Sequence, residues 1–178
     1  MNPSRVALLN KLIEMGGNIQ VSNHSSFGKE PVADINVKSS VLNACEVTSD
    51  DVPNLIDELP ILFIACTFAE GNSVFNDIEE LKHKESDRLK AMQEGLNKMK
   101  IKNYLKGNVF CIEGMGKDYK SPNLLAETYY DHRIAMSYAI AGLNSSSFIE
   151  IDSPESINTS FPEFIDLGKK LGCNFEIS

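Results

Sequence analysis

Lys84-Glu85-Ser86-Asp87-Arg88 places an acid, two bases and two short oxygen-bearing side chains within five residues. The segment runs directly into Leu89, Met92, Leu96 and Met99, a spacing that lays one apolar stripe along a helix. Lys84, Glu85 and Arg88 are then expected to project from the helix's first turn, where the positive end of the macrodipole favours an anion. These residue types suit a phosphorylated or carboxylated ligand. A solvated, charged helix start would look the same in isolation, so the rest of the chain must decide.

Two other segments repeat the arrangement. Ile56-Asp57-Glu58-Leu59-Pro60 precedes the apolar run Ile61 to Ala69, and proline is tolerated in a first helical turn, so Asp57 and Glu58 are expected at the start of a mostly buried helix. Asp131-His132-Arg133 likewise precedes Ile134 to Ala141, a helical run closed by Gly142. Ordinary capping would explain either one alone. Three charged helix starts, two of them carrying arginine, fit convergence on an anionic ligand, with Lys84, Arg88 and Arg133 on one exposed face.

The segments Ile56 to Pro60, Glu79 to Arg88, Asp131 to Ser137 and Thr159-Ser160-Phe161-Pro162-Glu163-Phe164 together resemble the 5-enolpyruvylshikimate-3-phosphate synthase family. Asn2-Pro3-Ser4-Arg5 and Glu30 to Asp34 are similar to it as well, so the resemblance runs along nearly the whole chain. It implies an α/β domain of repeated βαβαββ units around a pseudo-threefold axis, helices inside and sheets outside. Members are two-domain proteins more than twice this length, and the chain resembles the later part of one. The resemblance therefore implies a single, incomplete domain: a partial unit over 1–40, a complete unit over 41–113 and a partial unit over 114–178.

The implied chemistry moves the enolpyruvyl group of phosphoenolpyruvate to the 5-hydroxyl of shikimate 3-phosphate and releases phosphate. Both substrates are anionic, so several cations must hold them together. By resemblance, Arg88 and Arg133 bind phosphoenolpyruvate and Lys84 lies near the attacking hydroxyl. Asp57 is the base or hydroxyl-orienting group, and Glu85 is the proton donor to the methylene carbon. Many relatives carry lysine where Thr159 stands, which removes one candidate ligand. The implied partners are the two substrates and the missing N-terminal domain or a separate chain supplying it, without which turnover is not expected. Two alternatives share these features: a nucleotide-sugar enolpyruvyl transferase, disfavoured by the Lys84 to Arg88 and Asp131 to Arg133 motifs, and a non-catalytic remnant or interaction module.

Composition narrows the class further. The chain has 178 residues, 42% of them hydrophobic, enough for one substantial core. A net charge of −8 argues against a nucleic-acid surface. No apolar run reaches the ~20 residues that span a membrane, and no signal-like segment opens the chain, so a cytoplasmic location is expected. Cys45, Cys66, Cys111 and Cys173 are far apart in sequence and read as buried free thiols. His24, His83 and His132 lack ligand spacing. No metal and no cofactor are expected.

The elements that must position these residues follow from periodicity and punctuation. Asn2 and Pro3 open a helix through Met15 that Gly16-Gly17 ends. Strands are expected at Ile19 to Val21, Ala33 to Val37 and Val41 to Thr48, with a turn over Asp50 to Asn54. The helix from Pro60 to Ala69, the strand Ser73 to Ile78, the Lys84 motif with its helix, and strands near Ile101 to Leu105 and Asn108 to Ile112 complete the middle unit. Met115 to Pro122 reads as an irregular loop. A strand at Phe148 to Ile151, a capping box Ser160-x-x-Glu163 and a closing strand Asn174 to Ile177 finish the chain.

Overall fold

The computed structural model describes residues 1–146 and 148–176. Asn2 caps the first helical stretch, its side chain accepting from the Ser4 amide, with Pro3 in the first turn. That stretch is two pieces, a 3-10 turn over Pro3–Arg5 and helix α1 over Ala7–Glu14, because Val6 leaves helical geometry at φ −99° and ψ 6°. Gly16 then takes φ +93° and releases the chain into strand β1 (Asn18–Phe27). An antiparallel hairpin joins it to β2 (Glu30–Lys38), both strands running well past the expected cores.

The middle sheet has the order β3-β4-β6-β5, where β3 is Glu46–Val47, β4 Glu70–Asn76, β5 Asn103–Lys106 and β6 Val109–Met115. β3 runs parallel to β4, and the other neighbours are antiparallel. The expected strand from Val41 to Thr48 is regular only over its last part. Asn43 stands opposite Glu70 but Glu46 stands opposite Val74, so β4 uses one extra residue, which Gly71 absorbs at φ +95°. Thr48 is held by the Asp51 carboxylate at 2.9 Å, and a short helix, α2 (Val52–Leu55), replaces the expected turn.

Helix α3 (Leu59–Thr67) is apolar nearly all round and buried, as a helix enclosed by protein should be. Phe63 packs edge-on to Phe75 at 4.7 Å and against Phe110 at 5.1 Å, joining α3 to the sheet. Helix α4 (Arg88–Lys98) turns Leu89, Met92 and Leu96 inward, and Met99 follows them at its end, so the expected stripe is the buried one. Strand β7 (Leu124–Ala126), helix α5 (His132–Gly142) and strand β8 (Ile149–Ile151) form a crossover whose two strands pair in parallel. The four-stranded sheet and the β7–β8 pair thus flank the buried helices α3, α4 and α5, while the β1–β2 hairpin is largely exposed.

Several expectations fail locally. β7 lies inside a stretch with no clear alternation, where its pairing with β8 supplies the order. The capping box does not form: Ser160 ends a 3-10 turn over Pro154–Thr159, and helix α6 (Phe164–Lys170) starts without a side-chain cap. Asn174 to Glu176 are not a strand, and Ile177 lies outside the described residues.

One contact sets how α4 and α5 meet. Tyr138 is fully buried, its hydroxyl donates to the Met92 carbonyl at 3.0 Å, and a Cβ on Gly95 would lie 1.9 Å from that oxygen. Alanine is the better helix former by about 1 kcal/mol, whereas overpacking costs about 1–3 kcal/mol and loss of a buried hydroxyl's partner adds to it. Gly95→Ala is therefore expected to destabilise the fold, lowering the urea midpoint by the equivalent of about 1–3 kcal/mol. A raised midpoint would show that the helices do not depend on this close approach.

Candidate active site

The starts of α3, α4 and α5 meet at one point, and Arg88 is the residue that joins them. Its Nε donates to Asp131 Oδ2 at 2.8 Å, its Nη1 to Asp57 Oδ1 at 3.1 Å and its Nη2 to Glu85. Asp131 is the N-cap of α5, accepting from the Arg133 amide, and it also accepts from Ser86 Oγ at 3.0 Å. Asp57 lies just ahead of Glu58, the residue at the N-cap position of α3. Arg133 closes the circle, Nη1 donating to the Asp57 carbonyl at 2.9 Å and to Glu58 at 3.3 Å.

Two placements differ from expectation. Asp87 accepts from the Lys90 amide as the true N-cap of α4, so the helix cannot begin earlier. Lys84 and Glu85 therefore sit ahead of it, in the link from a 3-10 turn over Glu79–His83, with Lys84 in extended backbone. Arg88 is not on an exposed face: it is 0% exposed, as is Asp131. Lys84, Arg88 and Arg133 are nonetheless brought together around Asp57, at 3.7, 3.1 and 4.0 Å. Thr159 spends its hydroxyl on the Ser156 carbonyl at 2.7 Å and has no hydrogen bond to the cluster.

The electrostatics are lopsided. The cations Lys84, Arg88 and Arg133 face five carboxylates, those of Asp57, Glu58, Glu80, Glu85 and Asp131. Burial raises the Asp57 carboxyl, but Arg133, Lys84 and Arg88 outweigh it and hold the group below the usual carboxylate range. Lys84 is raised by its bond to Glu80, against a smaller opposing effect of burial, and Asp57 adds to the rise. Lys84 and Arg133, the latter with Nη2 beyond hydrogen-bond distance of Asp57, are the cations turned toward solvent.

Asp131 belongs to the site and sequence reasoning read it only as a cap. Its setting is strained: Tyr129 and Tyr130 are consecutive non-glycine residues at φ +53° and +59°, each costing about 1–3 kcal/mol. The Tyr129 hydroxyl donates to Glu94 on α4 at 2.7 Å, and the Thr128 amide and hydroxyl donate to Asp152 at 3.0 and 2.7 Å. These bonds flank the turn that leads into Asp131.

Residues 1–167 match the family model described as EPSP synthase (3-phosphoshikimate 1-carboxyvinyltransferase). The chain belongs to the EPSP synthase family. It is 44% identical to a 3-phosphoshikimate 1-carboxyvinyltransferase of Zymomonas mobilis, over 99% of this chain and 40% of the relative. EPSP synthase from Acinetobacter baumannii superposes with a TM-score of 0.94 at 40% identity, covering all of this chain and 41% of that one. The enolpyruvyl transferase NikO from Streptomyces tendae, 17% identical over 95% of this chain and 35% of its own, has a TM-score of 0.68 and shares the fold. This EPSP synthase family chain thus spans about 40% of the length of the curated relatives it matches.

The depressed Asp57 carboxyl gives the site a pH signature. A carboxylate whose folded pKa lies below its unfolded value contributes stability above the unfolded pKa, near 3.9, and loses it as pH falls through the folded one. Asp57→Asn should therefore be less stable than the parent at about pH 7, and the gap should narrow on acidification to about pH 3. Thermal melts across that range check it; a gap independent of pH would mean that Asp57 is not held by the three cations.

Proposed function

We propose that this chain carries one side of the catalytic site of a 3-phosphoshikimate 1-carboxyvinyltransferase, acting with the remaining length that its relatives possess. The reaction transfers the enolpyruvyl group of phosphoenolpyruvate to the 5-hydroxyl of shikimate 3-phosphate and releases phosphate, in the shikimate route to chorismate and aromatic amino acids. The observation that carries this reading is the convergence of Lys84, Arg88, Arg133, Glu85 and Asp57 at three helix starts in a chain of this family. The reading also divides the chain into a complete βαβαββ unit over 41–113 flanked by partial units over 1–40 and 114–178. The absence of a described helix long and apolar enough to cross a membrane fits a cytoplasmic enzyme.

Each role follows from the chemistry of its group. Arg133, half-exposed with a guanidinium edge left over, binds a carboxylate or phosphate of phosphoenolpyruvate. Lys84 places a charge beside the attacking hydroxyl. Asp57, held ionised by its cations, accepts a hydrogen bond from that hydroxyl and orients it or takes its proton. Glu85, exposed to solvent and anchored by Arg88, takes up a proton, passes it to the methylene carbon as the hydroxyl adds, and takes one back from the resulting methyl group as phosphate leaves, which restores the double bond. Because carboxylates outnumber cations here, two anionic substrates require further basic groups, which the rest of the relatives' length would supply.

The test measures phosphate release by the chain alone and after mixing with the missing portion of a relative. Alone, turnover should stay far below about 1 per second, since a site closed from one side neither balances charge nor excludes water. In the mixture, Glu85→Gln should lower kcat by about 10²- to 10⁴-fold with KM little changed, and Arg133→Ala should chiefly raise KM for phosphoenolpyruvate. Normal turnover by the chain alone, or a Glu85→Gln variant at full rate, would defeat the reading.

A further inference from the structure

Two cysteines that the sequence keeps apart are neighbours in the core. Cys45 Sγ and Cys66 Sγ are 3.7 Å apart, the one sulfur pair within bonding reach among the described residues. Cys66 lies on α3 and is fully buried, whereas Cys45 precedes β3 and keeps 7% of its surface exposed. The Cys45 amide donates to Ser73 Oγ at 3.2 Å, and Lys11 Nζ donates to the carbonyl of the adjacent Glu46 at 3.0 Å. The chain between the two sulfurs contains α2, most of α3, and Asp57 with Glu58.

We propose that Cys45 and Cys66 are a redox-active dithiol that closes reversibly to an intramolecular disulfide when a two-electron oxidant, a peroxide or a small disulfide, reaches Cys45. Closing draws the sulfurs from 3.7 Å to the bond length of about 2.05 Å. Cys45 is the attacking sulfur because it keeps 7% of its surface exposed where Cys66 keeps none, and the Cys66 thiol hydrogen bond, with Lys11 and Ser73 against the effect of burial, lowers its pKa. The Cys66 thiol is pushed up by its bond to Cys45 and by burial, so it acts second.

With a peroxide, the Cys45 thiolate attacks one oxygen, the O–O bond breaks, and Cys45 becomes a sulfenic acid as hydroxide or alkoxide leaves. The Cys66 sulfur then attacks the Cys45 sulfur, the S–O bond breaks, and the leaving hydroxide takes up the proton that Cys66 gave up, so that water forms. Two electrons pass from the thiols to the peroxide, and a dithiol reductant reverses the change. The ring so closed brackets the segment that presents Asp57 to Arg88, so oxidation stiffens one wall of the candidate site. The inference does not depend on which reaction that site performs.

The experiment treats the full chain with a small molar excess of hydrogen peroxide, alkylates the remaining thiols and maps peptides by mass spectrometry. Free thiols should fall from four to two, with a mass loss of about 2 Da and one cross-linked pair joining Cys45 to Cys66. Dithiothreitol should restore all four. Oxidised glutathione added to Cys66→Ser should leave a mixed disulfide trapped on Cys45. Four persisting thiols, a bridge through Cys111 or Cys173, a bridge between chains, or oxidation only to sulfinic or sulfonic acid would each overturn the proposal. The peptide map of the unmodified chain decides this even if the serine variant fails to fold.

Discussion

A guanidinium cannot be left dry and unpaired in a protein interior, and the arrangement of this chain's helix starts follows from how that constraint is met at Arg88. Its side chain is completely buried, and three carboxylates, from the α3 approach, the α4 approach and the α5 cap, meet it in three directions. Desolvating such a group costs several kcal/mol, recovered only when geometry and hydrogen bonding are good. Arg88 therefore fixes the helix starts at one relative placement. Asp131 is equally buried and depends on Arg88 in return.

The scaffold exists to make that meeting possible. α3 is apolar on every side and is gripped by Phe75 and Phe110 of the sheet, so its polar start can point only along its axis toward the cluster. α4 and α5 approach closely because Gly95 leaves room for Tyr138. Tyr129 and Tyr130 take left-handed backbone directly ahead of Asp131, with bonds from Tyr129 to Glu94 and from Thr128 to Asp152 flanking the turn. The consequence is a cluster rich in acid as well as base, in which five carboxylates surround three cations.

Much of this was legible in the residues. The stripe of Leu89, Met92, Leu96 and Met99 fixed the buried face of α4, the Asn2-Pro3 pair marked a cap, and Asp57 and Asp131 were rightly placed at helix starts. Those signals are local. The failures required distant partners: β7 exists because β8 pairs with it, the Val41 to Thr48 strand was broken by an extra residue in β4, and Ser160 lacked the helix its box needed. Arg88 looked like a surface ligand because nothing in its neighbourhood of sequence reveals that Asp131 lies 43 positions away and 2.8 Å from its Nε. The Cys45–Cys66 contact was hidden in the same way.

The mutual dependence of Arg88 and Asp131 is open to direct measurement by a double-mutant cycle on unfolding free energy, using Arg88→Met, Asp131→Asn and the pair. Each single change leaves a buried polar partner uncompensated, a loss of about 3–5 kcal/mol for the arginine. The double variant should cost clearly less than the sum, with a coupling toward the upper end of the roughly 0.5–3 kcal/mol seen for contacting residues. Additive losses, within about 0.5 kcal/mol, would mean that Arg88 is not the joint on which the three helix starts depend.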